Sequence, residues 1–291
     1  MSLLSKFNVA LILVFSLALI PAGWVSRALL QRSARTQVIQ NARIMMETAM
    51  AMRGYTIKQI KPLLNSRLKE QFLPQTVPAY SATEVFNYLR QSNPEYTYKE
   101  ATLNPSNPRD RAVDWEADVI TQFKKDPDLT EIIGERQTVE GPSLFLSHPI
   151  RITDPRCLSC HRTPEEAPAS LVRFYGPSNG FGWKLNEVVG AQIVSVPTSI
   201  PVSMANQAFR TLLGSLAGVF LFTLLVLNLL LRYSVTRPLT RLAALADQVS
   251  HGEMDAPDLE IKGNDEVARL GGAFNRMRIS LKKALAMLDE S

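Results

Sequence analysis

Cys157, Cys160 and His161 stand in the run ITDPRCLSCHRTPEE, residues 152–166, which holds both cysteines of the 291-residue chain and one of its three histidines. Two thiols at this spacing can form a disulfide, act as a redox dithiol, supply half of a tetrahedral zinc site or take the two vinyl groups of a haem as thioethers. A zinc site needs two further ligands, and only His148 and His161 offer nitrogen nearby. A thioredoxin-like dithiol belongs at a strand-to-helix turn of a βαβ unit, a pattern absent from DPRCLSCHRTPEE. The histidine directly after the second cysteine decides among the readings. With Cys157 and Cys160 bonded to the vinyl groups, the short tether places the His161 imidazole beneath the iron as proximal ligand. The motif therefore predicts one covalent haem c per chain.

Nothing in the sequence fixes the ligand on the opposite face of the iron. His148 on an expected strand and Met50 and Met52 on an expected helix are candidates, as is an open position. The difference matters: an open site binds gases, whereas two strong ligands favour electron transfer or redox sensing. Phe145, Phe174, Tyr175, Phe181 and Trp183 could wall a porphyrin, and Arg53, Arg109, Arg111, Arg151 or Arg162 could pair with its propionates. No nucleophile–base constellation stands out, so no enzyme is expected.

These residues lie between two membrane-length apolar runs. The first, within 8–29, is uncharged up to Ser26, close to what a helix needs to cross about 30 Å of hydrocarbon. Around Pro21, Ala22 and Gly23 the small-x-small pattern of a cleavage site is poorly formed, so an uncleaved anchor is expected, with Trp24 at the interface. The second run, 211–231, is bracketed by Arg210 and Arg232. Arg232, Arg237 and Arg241 then put the C-terminal tail inside, residues 1–7 with it, and residues 30–208 outside the cytoplasm, where c-type haem is assembled.

The middle segment reads as α+β. A helix is expected from Gln31 to about Leu73, with apolar residues such as Val38, Ala42, Met46 and Ala49 at helical spacing. Another is expected to open at Ser81 as N-cap with Glu84 closing a capping box, and a third covers Asp114 to Phe123. Strands are expected around Tyr96 and Tyr98, as a hairpin in QTVEGPSLFLSHPIRI, and as a last hairpin in FGWKLNEVVGAQIVSVPTSI. Helices first and antiparallel strands after argue for a sheet packed by helices. The net charge of +5 comes from Lys and Arg dispersed among Asp and Glu, without the basic block that nucleic acid would require.

Past Arg232, Pro238 precedes apolar positions Leu242, Leu245 and Val249. A second series runs through Val267, Leu270, Phe274, Met277, Leu281, Ala284 and Leu288. Steps of three and four are coiled-coil spacing. With the entry TRPL, a connector carrying Gly252, Pro257 and Gly263, and Asp265–Glu266 opening the second helix, this segment, 232–285, resembles the HAMP linker family. Ala268 stands where that family often has Gly. The resemblance implies a parallel four-helix bundle formed by two chains, hence a homodimer through HAMP and the membrane helices. Residues 286–291 finish the helix.

The middle domain also resembles a known family. VPAYSATEVF, YTYKEATLNPSNPRDRAVDWE, CLSCH followed by Ala167–Pro168, and GFGW are similar to the haem-c-binding, PAS-like sensor domains found before HAMP linkers in bacterial membrane receptors. The similarity spans roughly residues 35 to 200. It implies a PAS-like sheet, haem at Cys157 and Cys160, and His161 as axial ligand. The function expected is a two-pass sensor in the bacterial inner membrane, periplasmic domain outside and HAMP inside, detecting redox state or a small gas. A membrane-tethered monohaem electron-transfer cytochrome is the alternative. The chain stops just past the second HAMP helix, so a separate cytoplasmic output protein is expected beside membrane lipid and the gas or redox partner.

Overall fold

The computed structural model describes residues 2–139, 141–253, 257 and 265–289. The expected connector glycine Gly263 lies outside the described residues. Two compact units emerge, Arg27–Ala208 and a second made of Met1–Ser26 with Phe209–Ser291.

The first unit is built on a four-stranded antiparallel sheet of β1 (Thr97–Thr102), β2 (Ile132–Thr138), β3 (Gly141–Arg151) and β4 (Val188–Pro197), ordered β1-β4-β3-β2. The side-chain period of two splits the apolar residues between the faces. Leu144, Leu146, Val194 and Val196 join Val38, Ala42, Met46 and Ala49 of α1 (Leu3–Tyr55) and Ala82 and Phe86 of α3 (Pro78–Arg90) in one core. On the other face Ala101, Ala191 and Ile193 meet Val119, Ile120 and Phe123 of α4 (Asp114–Lys125). Gly134 is paired with Phe145, whose ring occupies the space a Cβ would need, 2.5 Å away.

Three expectations are corrected. The helix after the first apolar run does not continue to Leu73: α1 ends at Tyr55, passes through a π-helical turn at Thr56–Ile60 and a short α2 (Lys61–Leu64), and gives way to 3₁₀ turns. Ser81 is not an N-cap. Pro78, with its ring-fixed φ and no N–H to leave unpaired, starts α3 a turn earlier, Ser81 Oγ donates to Gln75 O at 2.9 Å, and Glu84 pairs with Arg109. The segment from Phe181 to Pro197 is no hairpin but a loop leading into β4, whose ten residues are all buried because it is a central strand. A strand covered on both faces loses the alternation by which hairpins are read.

The second apolar run lies on α7 (Ser199–Leu231), whose residues from Phe209 on belong to the second unit. The helices holding the two runs are long and apolar enough to cross a membrane. Side chains such as Leu17, Ile20, Leu221 and Phe222 face outward. Phe15 stacks on Phe220 at 4.0 Å, and the Asn8 and Asn228 amides exchange hydrogen bonds of 2.9 and 2.8 Å. A π-helical turn, Arg232–Thr236, leads to α8 (Arg237–Ser250), where Leu242, Leu245 and Val249 are buried. Asp265 Oδ1 accepts the Ala268 N–H at 2.8 Å and caps α9 (Glu266–Asp289).

Candidate functional site

The cysteine motif sits on a tight helical turn that its own flanks fix. Asp154 Oδ1 accepts the Arg156 N–H at 2.9 Å, while the Arg156 guanidinium folds back onto the same carboxylate. This starts a 3₁₀ turn, Pro155–Cys157, that runs into α5 (Leu158–His161). Helical backbone at positions three apart puts Cys157 and Cys160 on one side. Both thiols are free and partly buried. Cys157 packs against the cluster of Ile152, Leu158 and Val189, and Cys160 against that of Phe72, Ala167 and Leu171. Burial pushes the Cys157 thiol up, which keeps it protonated.

His161 is held on three sides. Its Nδ1 lies 2.7 Å from the carbonyl oxygen of Gly180; because a carbonyl only accepts, Nδ1 carries the proton and Nε2 keeps its lone pair. Trp183 stacks on the ring with centroids 3.8 Å apart. The backbone closes the loop: Gly182 N–H donates to Arg162 O at 2.9 Å and Trp183 N–H to His161 O at 3.2 Å. Gly180 and Gly182 both adopt φ near +84°, where glycine is strongly favoured. The segment GFGW is therefore the cradle of His161, and two glycines bracketing an aromatic were the signal for it in the sequence. Burial holds the His161 imidazole below its ordinary pKa, hence neutral near pH 7.

Cys157, Cys160 and His161 share a cavity of about 470 Å³. Its apolar walls include Leu68, Phe72, Val77, Ile152 and Leu171, and its polar ones Arg53, Lys61, Glu100, Asp110 and Asp154. A pocket of this size, largely apolar with a few convergent polar groups, suits a small-molecule ligand. Arg53, in the last turn of α1, pairs with the buried Glu100 of β1, which also accepts the Tyr98 hydroxyl at 2.7 Å. Burial pushes Asp110 up to about 6. Ser106 Oγ, on the wall, is buried without a hydrogen-bond partner.

The structure brings only some of the expected residues here. Tyr175 and Trp183 line the cavity, as do Arg53 and Arg151. Phe145 packs on Trp115, Phe174 is exposed, and Phe181 packs with Phe72 and Leu171. Arg109 pairs with Glu84, Arg111 reaches Asn179, and Arg162 faces Glu166. The candidates for the far side of an iron are elsewhere. His148 Nε2 lies 3.5 Å from Glu131, whose carboxyl Arg43 holds low. Met50 Sδ accepts from Gln192 at 3.2 Å, and Met52 packs against the α1 face of the core. Lys61, Arg156, Glu100 and Asp110 were missed, being ordinary charged residues until the fold converges them.

Two thiols and a neutral, oriented imidazole on one cavity form a donor set that could hold a haem. Among the described residues no group of three or more His, Cys, Asp and Glu is placed to hold a metal ion.

Comparison with known proteins gives matches in both units. Residues 31–197 match the Tll0287-like family and residues 230–283 the HAMP domain. The nitrate/nitrite sensor protein NarQ of Escherichia coli (strain K12) is 34% identical over 75 residues, 25% of this chain and 13% of that protein. The methyl-accepting chemotaxis protein McpA of Bacillus subtilis (strain 168) is 30% identical over 87 residues, 30% of this chain and 13% of that protein. The chain thus spans a small part of the length of these curated relatives. The solved cyanobacterial heme-protein Tll0287 is 17% identical, with a TM-score of 0.42, over 55% of this chain and 94% of that one. Since the first match covers more than half of the sequence, the chain belongs to the Tll0287-like family, with a HAMP domain following the family domain.

Proposed function

We propose that the protein is a membrane-bound haem-c sensor that detects a small gaseous ligand or a change of redox state outside the cytoplasm and relays it through its HAMP domain. The observation that carries this reading is the shared cavity: both cysteines and an oriented imidazole line it, as do Arg53 of α1 and Ile57 of the π-helical turn that follows. Cys157 and Cys160 would hold the haem through thioethers, and His161 would be its proximal ligand. When bound, the haem would supply redox-active iron able to take a small ligand.

The chain's own residues do the rest. Gly180 fixes the protonation site of His161, Trp183 fixes its plane, and apolar walls such as Leu68, Phe72 and Leu171 offer a surface for a flat ring. Among the described cavity-lining residues His161 is the only imidazole and no thioether is present. This favours gas sensing over a reading in which the protein would give the iron two strong ligands.

Arg53 stands on the unbroken helix that also carries the first apolar run. A ligand-dependent change at Arg53 would thus act on a membrane span, provided the ligand favours one packing over another. Arg232, Arg237 and Arg241 beside the second apolar run support two-pass insertion in the bacterial inner membrane, in which the haem domain would be periplasmic and HAMP cytoplasmic. A homodimer would pair the exposed apolar residues of α9, such as Leu270, Met277 and Leu281. Output would pass to a cytoplasmic partner protein.

The test is cysteine crosslinking between subunits along α1 and α8 in lipid, oxidised against reduced and with or without CO and NO. A state-dependent change in crosslinking yield supports the relay; identical yields in every state contradict it.

A further inference from the structure

Four basic side chains stand on the cavity wall, and three are committed to the protein. Arg53 pairs with Glu100, and Arg156 forks onto Asp154. Arg151 donates to the backbone carbonyls of Asn186 and Pro127 at 3.3 and 2.9 Å. Lys61 is different. It is half-buried on the wall, four positions beyond Ile57 and eight beyond Arg53, with the π-helical turn between. Among the described residues no hydrogen bond or salt bridge is formed by its side chain. Its charge is felt at Cys157, His161 and Asp154, but the Asp154 carboxylate is already occupied by Arg156. Lys61 is thus the one Lys or Arg among the described residues of this wall whose charged group is not already engaged by a hydrogen bond or salt bridge. A ligand presenting an acid group to the wall would meet that ammonium.

We propose that Lys61 is a carboxylate-binding residue of the cavity, its ammonium taking an acidic side group of the bound haem. The assignment rests on the haem reading above. A lysine serves here as a compact point charge, whereas the three arginines of the wall are already engaged within the protein. The same chemistry would suit a free carboxylate from solution, so the experiment must separate the two sources.

The full-length holoprotein in lipid nanodiscs is compared with Lys61→Gln, Lys61→Arg and Lys58→Gln, the last an exposed lysine off the cavity wall. Covalent haem content, midpoint potential and the redox-difference infrared spectrum are read for each. Every variant is expected to retain wild-type haem content. Lys61→Gln should lower the midpoint potential, because the lost positive charge favoured reduced iron, and should shift a carboxylate band. Lys61→Arg and Lys58→Gln should leave both near wild type. Sodium acetate titrated against sodium chloride identifies the source. No saturable acetate effect accompanies binding of haem's own carboxylate, whereas a saturable effect lost in Lys61→Gln supports Lys61 as the carboxylate site and makes the carboxylate a free one. Unchanged potential and infrared bands in Lys61→Gln without an acetate effect, or an equal shift in Lys58→Gln, overturn the proposal. Absence of covalent haem from the wild-type protein would instead fail the haem reading itself, and this proposal with it.

Discussion

Trp183 lies flat on His161, with ring centroids 3.8 Å apart and planes 10° from parallel. The loop that delivers Trp183 also delivers the Gly180 carbonyl to Nδ1 of the same imidazole. One four-residue segment thus sets the plane, the tautomer and the open nitrogen of the ring, the kind of support that decides how a metal-ligating histidine behaves.

Gly180→Ala should disrupt this support. A Cβ there would come within 1.8 Å of Ser106 Oγ, and the φ of +84° is itself unfavourable for alanine by about 1–2 kcal/mol. The expected outcome is a lower melting temperature together with an altered Soret band of the holoprotein, as the carbonyl withdraws from His161. Gly141→Ala shares a positive φ but meets nothing within 4 Å, and should leave the Soret band in place.

The Arg53–Glu100 pair should be asymmetric under mutation. Glu100 is 3% exposed and holds both Arg53 and the Tyr98 hydroxyl. Removing one partner of a buried pair strands the other charge, at about 3–5 kcal/mol. Glu100→Ala is expected to lose stability on that order in denaturant melts, while Arg53→Met combined with Glu100→Leu should recover much of it. A double variant as unstable as the single one would show that the pair is more than a mutually neutralising contact.

Asp110 predicts a pH dependence. Its folded-state pKa is pushed up to about 6 by burial, against which Arg109 acts only partly. A fold that prefers the protonated acid has that stability in full below the ordinary carboxylate pKa of about 4, and loses it as pH rises through about 6. Asp110→Asn should therefore raise the melting temperature at pH 8 and have little effect at pH 4. The opposite ordering would contradict the burial argument.

Asn8 and Asn228 exchange two amide hydrogen bonds between the helices carrying the apolar runs. Interhelical polar contacts in membranes contribute about 0.6 kcal/mol on average, with larger values in some cases. A double-mutant cycle with Asn8→Leu and Asn228→Leu in lipid should give a favourable coupling energy of that order. Strictly additive effects would remove the pair from the account.

Much of this was visible in the amino-acid order, and what was not has identifiable causes. Cys157, Cys160 and His161 are neighbours in the chain, so their place on one cavity could be read from the motif, as could the two apolar runs and the period of Leu242, Leu245 and Val249. The strand from Val188 to Pro197 was misread because a central strand, buried on both faces, carries no alternation. Ser81 and Glu84 have the residue types of a capping box, but Pro78, with its ring-fixed φ, starts the helix a turn earlier. The cavity itself was hidden: Lys61, Glu100 and Asp110 come from three separate segments and meet Cys157 only through the tertiary fold.

The most direct test of the central claim is the haem content of the purified protein after acid–acetone extraction, read as a pyridine haemochrome for wild type and for Cys157→Ala with Cys160→Ala. The account predicts that haem stays with the wild-type polypeptide and is extracted from, or missing in, the double variant. Wild-type protein that carries no haem, or yields it all to the solvent, would contradict it.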